Sequence, residues 1–306
     1  VNAMLKRDDM KKAFVFSSSM AQYVMKATTP EMRRVIDFVD VDSDKWQQYA
    51  GNKPWPFSWL YRREGETLLK FEQDVAREFD TSLFVSAEEA ALSRQLAPES
   101  ADCISYLENG VDHEYFFPEG NYPDPYAGCR EVLVFTGAMD YWPNVDAVTW
   151  FADHAFPRIC DAVADVLFCI VGMRPAPEVQ KLAERRGILV TGSVPDVRPY
   201  LAHARAAVLP LRIARGIQNK ALEAMAMQLP VIATPGAMIG IQPFPGFEPT
   251  ISEDPVTLAD AAITKLLGPR EQDRAARECV LERYNWGANL QRIGRLLEGG
   301  RIEADI

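Results

Sequence analysis

The sequence is short of several things, and each shortage removes a class of function. Its five cysteines, Cys103, Cys129, Cys160, Cys169 and Cys279, form an odd, scattered set with no CxxC pair. That argues against a disulfide framework and against a thiolate metal site, and it reads as core thiols in a reducing compartment. Three histidines, His113, His154 and His203, stand far apart and match no metal-ligand spacing, so no metal is expected. No apolar run exceeds strand length, so no membrane-spanning helix is predicted. Positive charge is scarce: 33 Lys and Arg against 43 Asp and Glu leave a net charge of −10, the opposite of a nucleic-acid binder's footprint. No GxGxxG follows a strand-like run, which disfavours a dinucleotide-dependent dehydrogenase. Repeats and low-complexity tracts are missing too. The first residues show no signal-peptide pattern, and with the free thiols this sets the expectation of a cytoplasmic protein.

What is present is 306 residues, 48% hydrophobic, enough to bury a sizeable core and long enough to suggest two domains. Strand-like runs alternate with helical patterns twice over. The first block has strands at 13–17, 34–41, 82–86 and 103–107, with helices from Met20, over 58–79 and over 88–96. The second has strands at 131–136, 166–171, 188–191, 206–210 and 231–234 and a short one near 249–251. Its helices fall at about 144–155, 177–186, 197–204, 219–227, 255–267, 270–284 and 287–298. The loop at 109–118 (NGVDHEYFFP) and the proline-rich 119–129 read as a linker. Such alternation predicts two doubly wound α/β units with parallel sheets, and ligands at the carboxyl ends of the strands. Gly137, Gly172 and Gly192 each close a strand, where backbone must pass close to something else.

One stretch of the second block is chemically unusual: residues 206–235, AAVLPLRIARGIQNKALEAMAMQLPVIATP. Strand, loop, helix and strand make one βαβ crossover, with Asn219 a suitable N-cap and Lys220 at the first helical position. Cations are mildly unfavourable beside a helix N-terminus, yet Arg212, Arg215 and Lys220 gather there. The arrangement makes sense if an anion comes to lie among the amide N–H groups, the ammonium and the guanidinium. Glu223 leans back toward the helix start and could accept hydrogen bonds from hydroxyls beside that anion. An anion next to a diol is what a nucleoside diphosphate presents. A solvated cationic loop on an ordinary crossover is the competing reading.

In order along the chain come NGVDHEYFFP (109–118), VFTG (134–137), IVG (170–172), VTGSVPDV (190–197) and NKALEAMAMQLPVIAT (219–234). This ordered set resembles the retaining nucleotide-sugar glycosyltransferases of the GT-B fold, family 4, also described as group 1 glycosyl transferases. More narrowly, DVDSDKW (40–46), TGAMDYWPNVDA (136–147) and PLRIARGIQNKALEAMA (210–226) resemble sugar transferases of bacterial exopolysaccharide clusters. The resemblance implies a GT-B architecture: two Rossmann-like doubly wound parallel-sheet domains, the N-terminal one incomplete. It places an acceptor-side domain at 1–118, a nucleotide-sugar-binding domain at 119–284, and a C-terminal helix over 285–306 returning toward the first. The implied activity is hexosyltransferase-type transfer, with retention, from a nucleotide-diphosphate sugar to a glycan or lipid-linked acceptor in exopolysaccharide synthesis. A nucleotide-sugar-binding fragment without transferase activity is the alternative.

By position, the resemblance gives Glu223 the donor ribose hydroxyls, and Ser193 and Val194 the place where the base meets backbone. The family's first, sugar-binding glutamate falls at Arg215 here. Nor does the segment after Gly137 carry the family's basic pair. Phosphate charge is then met by Arg212, Arg215 and Lys220, with Arg215 and Lys220 the expected catalytic cations and Gly137 part of the donor site. No cofactor or metal is expected beyond the donor itself, and nucleic acid is not an expected partner.

Other features carry two readings each. Asp40, Asp42 and Ser43 form an acidic strand tip that is either a solvated loop or part of the sugar and acceptor site, Asp42 being the catalytic candidate. Ser17, Ser18 and Ser19 are either a capped turn or functional. The aromatics Trp46, Trp55, Phe57 and Trp59 read first as core packing under a proline-rich loop. Second, they read as a peripheral contact with the inner face of the membrane, where Trp is favoured. An open sheet edge in the first block would favour a homodimer through residues 1–118. An epimerase or phosphorylase on the same fold is a further rival, though only Lys220 stands out as a lysine for a cofactor.

Overall fold

The computed structural model describes residues 10–25, 31–51, 54–129, 131–214 and 216–300. Arg215 lies outside them. The chain divides into two compact units, one of residues 1–109 with 287–306, the other of residues 110–286.

The first unit holds a four-stranded parallel sheet, β1 (Lys12–Phe16), β2 (Arg33–Val39), β3 (Thr81–Phe84) and β4 (Ile104–Tyr106), in that spatial order. Its helices are α1 (Ser18–Met25), α2 (Asp42–Gly51), α3 (Phe57–Glu78), α4 (Ala87–Leu96) and, from Gly287 on, the last helix of the chain. Successive side chains of a strand point to opposite faces, so neighbours in β2 enter different cores. Ile36 packs with Val15, Phe38, Val75, Phe79 and Phe84. Val35 packs with Leu83, Leu107 and, from the last helix, Leu296.

Two findings here differ from expectation. The acidic tip does not stay a loop: residues 42–51 form α2, because acids from other helices supply its first turn with partners. Glu72 of α3 accepts the Ser43 N–H at 3.1 Å and the Ser43 hydroxyl at 2.5 Å. Glu89 of α4 accepts the Val41 N–H at 2.7 Å. A first turn leaves N–H groups without intrahelical partners, and here the compensation lies far away in sequence. The aromatic segment, second, is mostly not core: Trp46 is half-buried against the Tyr61 ring, but the other three candidates are not. Trp55, Phe57 and Trp59 are 81%, 56% and 57% exposed. The buried positions of α3, Gly65, Glu72, Val75 and Ala76, begin only beyond its opening turns.

The second unit carries a six-stranded parallel sheet of β5 (Val132–Thr136), β6 (Leu167–Val171), β7 (Ile188–Gly192), β8 (Ala206–Leu209), β9 (Val231–Ala233) and β10 (Thr250–Ile251). The spatial order is β10-β9-β8-β5-β6-β7. Its helices are α5 (Trp142–His154), α6 (Phe156–Ala162), α7 (Pro177–Leu182), α8 (Arg198–His203), α9 (Asn219–Ala226), α10 (Pro255–Leu267) and α11 (Arg274–Arg283). A final helix, α12, spans Trp286–Leu297. Every residue of β5 and β8 is buried, as expected of strands covered on both faces. Strand order reverses between β5 and β8, so a crevice is expected at the carboxyl ends of these two strands.

The division of the chain falls at 109 rather than 118, since the expected linker packs into the second unit. Val111 N–H donates to Tyr284 O at 2.8 Å, and Tyr284 is fully buried. Arg277 of α11 donates to Phe116 O at 2.9 Å and His113 O at 3.3 Å. Among the described residues no helix is long and apolar enough to cross a membrane.

Candidate functional site

A cavity of about 360 Å³ opens at the switch point of the six-stranded sheet. Its walls are the ends of β5 (Thr136, Gly137) and β6 (Val171, Gly172), the turn after β7 (Ser193, Val194, Val197), Asn144 of α5, and Asn219, Lys220 and Glu223 of α9. The β5 and β6 ends approach so closely that only glycine fits. A Cβ on Gly172 would stand 1.6 Å from the Gly137 carbonyl oxygen. One on Gly137 would stand 2.7 Å from Asn144 Nδ2.

The helix that carries the cation begins one residue earlier than its capping preference suggests. Gln218 occupies the cap position in extended backbone, its carbonyl accepting the Ala221 N–H at 2.9 Å. Asn219 is therefore the first helical residue and not the N-cap, and Lys220 is the second. The Gln218 side chain turns to Gly216 O at 3.2 Å and makes no capping bond.

Lys220 and Glu223 lie one turn apart on the wall of the cavity. The Lys220 ammonium donates to Asn144 Oδ1 at 2.7 Å and stands 5.1 Å from the Phe135 ring centroid. Burial disfavours its charged form and lowers its pKa to about 8, the nearby Glu223 carboxylate opposing the shift. Burial raises the pKa of Glu223, against the pull of Lys220. Ammonium, carboxyl and carboxamide thus converge on one space at a sheet's switch point. That combination can hold an anion and hydroxyls side by side.

Of the residues expected at the donor site, the fold brings together Gly137, Ser193, Val194, Lys220 and Glu223. Arg212 goes elsewhere. It donates from Nε and Nη2 to the two carboxylate oxygens of Asp146, at 3.1 and 2.5 Å, and lies 5.7 Å from the Trp150 ring centroid. It lines a separate groove of about 640 Å³ with Asp140, Trp142, Asp146 and Glu178. Arg215 is outside the described residues. Asp42 belongs to the first unit, where it opens α2 and lies 3.4 Å from the Lys45 ammonium.

Asn144 is the site residue that the sequence reading passed over. It is 3% exposed, and its Nδ2 donates to Ala138 O at 2.9 Å while its Oδ1 takes Lys220. The available signal was a polar residue on the inner stripe of a helix otherwise burying Ala147, Val148, Phe151 and Ala152. Among the described residues no group of three or more His, Cys, Asp or Glu is placed to hold a metal ion.

Residues 130–267, most of the second unit, match the family model of glycosyl transferases group 1. The chain is similar in structure to TarM, with TM-score 0.68 and 14% identity over 97% of this chain and 57% of TarM. Sucrose-phosphate synthase of Thermosynechococcus elongatus gives TM-score 0.70 and 17% identity over 97% of this chain and 75% of that one. The Anabaena protein HepE, solved in complex with UDP and glucose, gives 0.67 and 12% over 97% and 80%. This chain thus spans between about half and four fifths of the length of these proteins. No match to a curated protein was found. The fold is GT-B, α/β with parallel sheets in two Rossmann-like units, and the match to group 1 glycosyl transferases lies within the second of them.

Proposed function

We propose that the chain is a glycosyltransferase that moves a hexosyl group, with retention, from a nucleoside-diphosphate sugar to a glycan or lipid-linked acceptor. Exopolysaccharide synthesis is the setting that its resemblances favour. The observation that carries this reading is the Lys220–Glu223 pair facing one cavity at the switch point, inside the stretch matching group 1 glycosyl transferases. UDP bound to the similar HepE supports the class of donor.

In the transfer, the bond between the sugar's anomeric carbon and the diphosphate oxygen breaks. A bond from that carbon to the acceptor oxygen forms on the same face, and the acceptor proton leaves with the diphosphate or to solvent. Negative charge grows on the departing diphosphate. Lys220, largely buried, meets that charge, and one such preorganised donor is worth about 3–4 kcal/mol of barrier. Arg215 is the second cation of this proposal. Glu223 accepts the ribose hydroxyls, and the backbone of Ser193 and Val194 takes the base. Asp42 is proposed for the sugar and acceptor side.

Calorimetric titration with UDP, GDP and ADP tests the site. Binding of one without sugar transfer to any acceptor would favour the alternative, a nucleotide-sugar-binding piece. A peripheral membrane contact is part of the same proposal, supported by the exposure of Trp55, Phe57 and Trp59. Self-association through the first unit is supported by edge strand β1, whose Phe14 and Phe16 are exposed. Light scattering decides it, a strictly monomeric chain counting against it.

A further inference from the structure

We infer that Asn144 is the positioning residue of the donor site, whose side-chain oxygen fixes the Lys220 ammonium and whose side-chain N–H group, held on Ala138, fixes Asn144 itself. The inference rests on the reading of the cavity as a diphosphate site.

A buried carboxamide is costly unless both of its ends are satisfied. Asn144, 3% exposed, satisfies them in opposite senses: Nδ2 donates to Ala138 O at 2.9 Å and Oδ1 accepts from Lys220 at 2.7 Å. Turning the amide over would set an NH₂ group against an ammonium and a carbonyl against a carbonyl. Only one orientation is therefore allowed, and it presents an acceptor to the cation.

The surrounding backbone is shaped around this pair. A Cβ on Gly137 would lie 2.7 Å from Asn144 Nδ2, so a side chain there would push the carboxamide away, and 3.4 Å from Lys220 Cε, in contact with it. An ammonium has three N–H donors. Asn144 takes one and orients the others, which the proposed diphosphate would use.

The groups facing Lys220 make the role measurable. Glu223 lies one turn along α9, Asn144 approaches from α5, and the Phe135 ring from β5. Arg212, from the loop ahead of α9, is held by Asp146. Burial already draws the Lys220 pKa down to about 8. Removing the acceptor takes away a partner of the charged form and lowers that value further. Replacing the carboxamide with an isosteric carboxylate raises it.

The test is calorimetric titration across pH 6.5 to 9.5 with whichever of UDP, GDP and ADP the wild type binds. The proteins are wild type, Asn144→Ala, Asn144→Asp and Lys220→Met. Wild-type affinity is expected to fall as pH rises through about 8, and Lys220→Met to show no such fall. Asn144→Ala is expected to bind about tenfold more weakly at pH 7, with the fall beginning at lower pH. Asn144→Asp is expected to move the fall to higher pH. It also serves as the near-isosteric variant should the alanine protein not fold. An unmoved fall in the Asn144 variants overturns the inference while leaving the site standing. Failure of the wild type to bind any of the three overturns the reading beneath it.

Discussion

The Lys220 ammonium lies 2.7 Å from the side-chain oxygen of Asn144, a residue 76 positions earlier in the chain, and the two close one side of the switch-point cavity. The cation is thus held by a neutral acceptor. Glu223, the nearest carboxyl, lies a turn along the helix, its pKa raised by burial. A neutral acceptor adds no counter-charge of its own, and a binder of anions needs that.

Lys220→Ala is predicted to lower turnover by a hundredfold or more at saturating donor, from loss of one electrostatic donor to the leaving group. The protein should stay folded, with urea unfolding showing a loss of about 1–3 kcal/mol from the buried Asn144 oxygen left without its donor. Steady-state kinetics with saturating nucleotide sugar check this, and equal turnover would sink the role.

Gly172→Ala is predicted to damage both fold and site. Its Cβ would meet the Gly137 carbonyl oxygen at 1.6 Å, and backbone cannot yield as a flexible side chain does. A loss of about 1–3 kcal/mol in urea unfolding is expected, with weaker nucleoside-diphosphate binding. Stability equal to wild type would show that the β5 and β6 ends are not so closely set.

Glu72 gives a pH dependence of stability. Burial raises its pKa to about 7, partly offset by hydrogen bonds from Ser43. A carboxyl whose folded pKa is raised keeps its proton longer in the folded than in the unfolded chain. Its contribution is therefore fully present below the unfolded value of about 4.5 and is lost as pH rises to about 7. Urea unfolding of Glu72→Gln from pH 4.5 to 8 should show a flatter profile than wild type. A profile as steep as the wild type's would contradict the assignment.

Trp55 and Trp59 are predicted to govern contact with lipid. The double variant Trp55→Ser, Trp59→Ser should sediment less with vesicles of anionic phospholipid than wild type, while nucleoside-diphosphate binding stays the same. Equal sedimentation would leave these rings as plain surface.

Much of this was legible in the chain, for reasons that particular residues make clear. Strands β5 and β8 are buried on both faces, so they read as unbroken apolar runs in any window. The glycine that ends β5 announced close backbone approach, and Gly172 meets it. Lys220 and Glu223 stood out because a cation at a helix start is unfavourable without an anion. Other features depended on partners distant in sequence. Helix α2 is held by Glu72 and Glu89, more than a helix away, and its own residues do not announce it. Arg212 looked like Lys220 in charge and context, yet Asp146 takes it out of the cavity. Asn144 carried no motif, since its meaning lies in what Lys220 and Ala138 do around it.

The central claim is that the switch-point cavity binds the diphosphate of a nucleotide sugar. Thermal unfolding of wild type and Lys220→Met with UDP, GDP and ADP tests it most directly. At a hundredfold excess over the dissociation constant, one diphosphate is predicted to stabilise the wild type by about 2.7 kcal/mol, a rise in Tm of a few degrees. The same ligand should give Lys220→Met little or no rise. No shift of the wild type by any of the three, or an equal shift in both proteins, would contradict the account.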